Sequence, residues 1–174
     1  MTKKKLKILS VIIAFLLCFQ LHNLYKMFPN FITSIFSPVN DSIWEHMKIL
    51  FGSILIAGII QKIIVSVKKL KYNNICLSNF IGAILSIPIF LIMYLPLYYL
   101  IGENMIISIS IMLITIIISE YIAYKLMNKN EFKLEKDTVI FAILTYLIFS
   151  ILTYFPPKFD LFVDPTTNTY GIQK

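Results

Sequence analysis

The chain has two histidines and one tryptophan, and His46 and Trp44 share a ten-residue stretch with Asp41 and Glu45, while His22 lies just upstream. Two imidazoles with a nearby carboxylate form a donor set for zinc or another divalent metal. An open fourth position on such a metal would permit hydrolysis, with Glu45 as the general base. The metal ligands on this reading are His22, His46 and Glu45. The spacing is not that of an established metal motif, because neither a His-Glu-x-x-His helix nor a Cys-x-x-Cys pair is present. A lone inward histidine more often bonds a carbonyl or a carboxylate, so metal binding competes with that simpler role.

Helical spacing says how the two imidazoles could meet. Ser10, Ala14, Cys18 and His22 recur every fourth residue, and Ser42, His46, Ser53 and Ala57 share a second helical face. Helices in lipid pack through such small-residue faces, which turns both histidines into the bundle. The link from Met27 to Val39 is short enough to keep the two helices antiparallel neighbours, with both rings at one depth. Ser42 followed by Glu45 has capping-box spacing and supplies a structural role for both residues. Trp44 suits the headgroup belt of a membrane.

The elements that must carry these residues are membrane-spanning helices. Of 174 residues 58% are hydrophobic, too many for a soluble core with a wettable surface. Apolar runs of spanning length cover residues 6–25, 49–67, 80–101, 105–126 and 139–155, so the expected fold is an all-α bundle of five spans in a single integral membrane domain. Lys3, Lys4, Lys5 and Lys7 precede the first run; Lys62, Lys68, Lys69 and Lys71 close the second; Lys125, Lys129, Lys133 and Lys136 follow the fourth. Basic flanks of short loops stay in the cytoplasm, which predicts the amino end inside and the carboxyl end outside. An outer loop over residues 26–48 and an outer tail over residues 156–174 follow. The first run is read as an uncleaved span rather than a signal peptide, since no small-x-small site follows it.

The net charge of +7 comes from lysine alone. With no arginine for bidentate phosphate or base contacts, it indicates topology and anionic lipid, not nucleic acid. Cys18 and Cys76 fall at different levels, so no disulfide is expected.

Further polar residues extend the candidate site. Asn104, Ser108, Thr115 and Ser119 line one side of the fourth span, and Pro88 and Pro96 interrupt the bonding of the third. Glu120 is an intramembrane carboxylate, although Lys125 nearby favours snorkelling toward the inner surface. In the tail, Phe159, Leu161, Phe162 and Val163 are too apolar to float in water, so the tail is expected to fold back over the outer mouth. Asp160 and Asp164 would then approach the histidines, with an interfacial anchor turning at Asp164-Pro165 as the plainer role.

The string Val39-Asn40-Asp41-Ser42-Ile43-Trp44-Glu45-His46, the upstream His22, and Phe162-Val163-Asp164-Pro165 leading to Tyr170-Gly171 resemble a domain-of-unknown-function family of small bacterial multi-pass membrane proteins. The resemblance covers most of the chain and implies that these residues belong to one unit, but it implies no mechanism. Three functions remain open. The first is a membrane protein of the bacterial cytoplasmic membrane whose outer face binds a metal or small ligand through His22, Asp41, Trp44, Glu45, His46, Asp160 and Asp164. The second is the membrane subunit of a small-molecule transporter, which would need a partner membrane protein or ATPase. The third is a metal-dependent intramembrane hydrolase. Lipid is the partner common to all three, and whether the protein is an enzyme stays open.

Overall fold

A computed structural model describes residues 1–172. It consists of helices α1 (Lys3–Met27), α2 (Phe31–Phe36), α3 (Ile43–Val67), α4 (Ile75–Ile101), α5 (Met105–Met127) and α6 (Glu135–Tyr154), followed by a 3-10 turn (Asp160–Phe162) and strands β1 (Val163–Asp164) and β2 (Thr169–Tyr170). All helices but α2 are long and apolar enough to cross a membrane. The shortest of these has 20 residues and the longest 27, about 30–40 Å at 1.5 Å per residue, against a hydrocarbon core of about 30 Å. The protein is a multi-pass helical membrane bundle.

α3 is the central helix. More than half of its most apolar window is buried (56%), against 17% for α6, which is the most peripheral. Around α3 pack α1 and α4, and α5 closes against both α1 and α4. Small residues permit this closeness. A Cβ added at Gly58 of α3 would lie 2.6 Å from the Cβ of Asn79 on α4, so only glycine allows this approach. Leu50, Phe51, Ile54, Ala57, Ala83, Phe90 and Ile116 fill the centre.

Several boundaries differ from the apolar runs, for physical reasons. α3 begins at Ile43 instead of Ile49, because Ser42 accepts the Glu45 N–H at 3.3 Å and starts the helix nearly two turns before the apolar run does. Only half of the expected capping box forms. The Ser42 N–H goes to the Asn40 side chain at 3.0 Å, while the Glu45 carboxylate is used elsewhere. The expected outer loop contains α2, which has a reciprocal capping box of its own between Asn30 and Thr33. α4 runs unbroken through Pro88 and Pro96.

The tail folds back, as its apolar residues require. Phe162 is buried and stacks on Trp44 with ring centres 4.8 Å apart, and Trp44 also meets Phe149 of α6 at 5.1 Å. The short β1–β2 hairpin is held by Asp164, whose Oδ1 accepts the Thr166 N–H at 2.8 Å and the Thr166 hydroxyl at 2.6 Å, an Asx turn. Gly171, at φ +64°, closes the tail and accepts the Asn40 side-chain N–H at 2.9 Å.

Candidate functional site

His22 and His46 meet at the end of the bundle that carries the tail. His22 lies near the end of α1 and His46 in the first turns of α3, so antiparallel packing sets both at one level, with ring centres 5.6 Å apart and planes inclined by 36°. His46 Nδ1 lies 2.9 Å from the Ser42 carbonyl. A carbonyl only accepts, so Nδ1 carries a proton, and Nε2 is the nitrogen left for a ligand. His22 Nε2 stands 3.8 Å from Asp41 Oδ1, and the Lys26 ammonium reaches the same oxygen at 3.2 Å.

A serine insertion fixes the end of α1 beside His22. The Ser37 hydroxyl donates to the Leu21 carbonyl and accepts the Tyr25 N–H at 3.0 Å, joining two groups that bond each other in an uninterrupted helix. The cleft enclosed by these elements has a volume of about 260 Å³ and is lined by Cys18, His22, Asp41, His46, Glu103 and Ser108, with Phe19, Ile49, Met105, Ile109 and Met112 as its apolar wall. Two carboxylates, Asp41 and Glu103, face one ammonium, Lys26, in and beside this cleft. Its charge favours a cation.

The other residues singled out in the sequence lie outside the cleft lining. Glu45 is 2% exposed, and both its oxygens are engaged: Oε2 takes the Lys48 ammonium at 2.7 Å and the Val39 N–H at 3.0 Å, and Oε1 takes the Thr153 hydroxyl of α6 at 2.7 Å. Trp44 packs under the tail, with its indole N–H buried and unpaired. Asp160 is exposed in the 3-10 turn. Asp164 is close to Asp41 instead of the imidazoles. Burial would raise its carboxyl, but bonds from Thr166, Thr167 and the Asp41 backbone N–H outweigh it and hold the group below its ordinary 3.8. Among the described residues, no three His, Cys, Asp or Glu side chains form a ready-made metal cluster.

Two buried ion pairs were harder to read from the sequence. Lys48 is fully buried; two of its protons cap the carboxyl end of α2 at the Ser34 and Ser37 carbonyls, at 2.8 and 3.1 Å, and the third goes to Glu45. At the opposite end of the bundle, Glu120 does not snorkel. It is 1% exposed, accepts the Ser10 hydroxyl at 2.7 Å and pairs with Lys7 at 2.9 Å. Lys7 also donates to Asn79 Oδ1 at 2.7 Å, and Asn79 donates to Gln61 at 3.3 Å. Lys125, the expected snorkelling partner, sits over the Tyr121 ring instead, at 4.7 Å. One signal in the sequence bears on Lys7: it lies three residues before Ser10, on the same stripe as Cys18 and His22.

The geometry defines a multi-pass membrane protein with a histidine and carboxylate cleft at one end and a buried lysine and glutamate pair at the other. The chain belongs to a family of unknown function (DUF6512), whose model matches residues 1–172. No curated protein and no solved structure matches the chain.

Proposed function

We propose that the protein resides in the bacterial cytoplasmic membrane, amino end inside and tail outside, and that its outer cleft binds a divalent cation of the zinc type through His22 and His46. The observation that carries this reading is the pairing of the two rings. Two imidazoles on one tetrahedral zinc bring their ring centres to about 5 Å, given zinc–nitrogen distances of roughly 2.0–2.1 Å, and the observed separation is 5.6 Å. The Nδ1 proton of His46 on a backbone carbonyl supports it, because metal-bound histidines are oriented in this way by their second nitrogen. Asp41 is the nearest carboxylate, and water completes the shell.

Binding is favoured over hydrolysis, because the proposed base, Glu45, is occupied by Lys48 and Thr153 outside the cleft. The protein purified in detergent without chelator should carry close to one equivalent of metal by elemental mass spectrometry, and His22→Ala or His46→Ala should each release it. Protein that is metal-free and fails to bind added zinc would refute the reading. So would retention of the metal by both variants.

A further inference from the structure

A second cavity enters the bundle from the opposite end along the same pair of helices. It has a volume of about 370 Å³ and is lined by Lys4, Lys7, Ile8 and Val11 of α1 and by Ile117, Glu120, Tyr121 and Tyr124 of α5. The cleft at the tail end reaches down to Cys18 on α1 and Met112 on α5. Between the two openings lie only the residues from Val11 to Cys18 on α1 and from Met112 to Ile117 on α5, about 10 and 8 Å of helix. The septum is therefore about a third of a hydrocarbon core of roughly 30 Å.

That septum is not wholly apolar. Thr115 lies within it, fully buried, and its hydroxyl has no partner; Ser119, one turn further and beside Glu120, is also fully buried with an unpaired hydroxyl. Ser108, Met112, Thr115 and Ser119 follow one helical stripe, which leads from the lining of the first cleft to the neighbour of Glu120. A buried hydroxyl without a partner is uncommon, and Thr115 inside the septum and Ser119 just past it, behind the cavity linings, are places where water can bond. Glu120 then ends the file as the one carboxylate inside the bundle that lines the amino-end cavity.

We propose that the α1–α5 seam is a proton pathway across the membrane, with Thr115 and Ser119 as its hydroxyl stations and Glu120 as the group that takes up and releases the proton. The step balances without a co-reactant. A proton arriving through water and the two hydroxyls converts the Glu120 carboxylate to the acid, Lys7 keeps its bond to Asn79, and the proton leaves to water in the amino-end cavity. Among the described residues, the charged and titratable groups around Glu120 are Lys7 and Lys4 from α1 and Tyr121 and Tyr124 from α5; from α4 and α3 come the neutral Asn79, which bonds Lys7, and Gln61, which bonds Asn79. The pathway goes beyond the cation cleft and does not require a metal in it.

The test uses the full chain in vesicles of phosphatidylethanolamine and phosphatidylglycerol, with a pH-sensitive dye inside and a potassium diffusion potential, negative inside, to draw protons in. The parent should acidify the vesicles faster than empty ones, Glu120→Gln should fall to the rate of empty vesicles, and Glu120→Asp should keep partial flux. Thr115→Val changes shape little and removes a hydroxyl that bonds nothing, so it should slow the flux while leaving the melting temperature unchanged. Parent protein no faster than empty vesicles would overturn the pathway, as would unchanged flux in both Glu120→Gln and Thr115→Val. Zinc binding by His22 and His46 is measured separately, so either result can fail alone.

Discussion

Replacing Lys48 with Met removes the positive charge that pairs with Glu45 and retains most of the side-chain volume. Lys48 is fully buried and Glu45 2% exposed, so water cannot take over the lost contact. The carboxylate would keep the Val39 N–H and the Thr153 hydroxyl, while the Ser34 and Ser37 carbonyls at the end of α2 would lose their donor. Breaking a buried pair by removing one partner costs about 3–5 kcal/mol, because the remaining charge is uncompensated. At roughly 2–4 °C per kcal/mol for a chain of this size, the melting temperature should fall by about 6–20 °C. A thiol-reactive dye can follow the melt in detergent, since Cys18 is 2% exposed and becomes reactive only on unfolding; Cys76, partly exposed, is first replaced by Ser. The double variant Glu45→Gln with Lys48→Met buries no net charge and should recover most of the loss. A single variant within about 2 °C of the parent, less than about 1 kcal/mol, would refute this reasoning. So would a double variant no more stable than the single one.

Gly58→Ala should lower the melting temperature by about 2–12 °C, from an overpacking cost of about 1–3 kcal/mol, because the new Cβ meets Asn79 at 2.6 Å. Gly82→Ala, whose Cβ approaches the Ser119 carbonyl oxygen at 3.2 Å, should cost less, and the reverse order in the same dye melt would contradict the packing. The third prediction concerns pH. The Asp164 carboxyl is held below its ordinary 3.8, so its contribution to the tail is complete above that value and is lost as pH falls through the lower folded-state value. Fluorescence of Trp44, which stacks on Phe162, should thus stay constant from neutral pH down to 3.8 and change only below it, whereas Asp164→Asn should show the altered emission already at neutral pH.

The five long helices were legible because lipid demands about 20 apolar residues in a row, and no other arrangement of these runs satisfies their backbone groups. The meeting of His22 and His46 followed from stripes of small residues and a short connection. Glu120 departs from the expected snorkelling because its partners, Ser10 and Lys7, lie on a helix far away in sequence. Ser34, Ser37 and Thr153 make Lys48 and Glu45 buriable, and those partners come from α2 and α6, elements whose docking no periodicity reveals. Lys7, Asn79 and Gln61 converge from three different helices. The Ser37 insertion into α1 was equally invisible, since a hydroxyl bridging another helix leaves no trace in spacing.

The two ion pairs differ in how far apart along the chain their members lie, and this separates them in the order of biogenesis. Glu45 and Lys48 are three positions apart, and the carbonyls that complete Lys48 come from the residues just before them. As the chain leaves the ribosome, that charge pair can enter the bilayer already neutralised. Lys7 instead waits for Glu120, on the fifth helix to emerge of the six. Until that carboxylate arrives, a lysine on the first helix gains nothing by leaving the lipid headgroups. The charge partner of α1 therefore exists only once α5 has been made, so the first segment synthesised is among the last to complete its contacts.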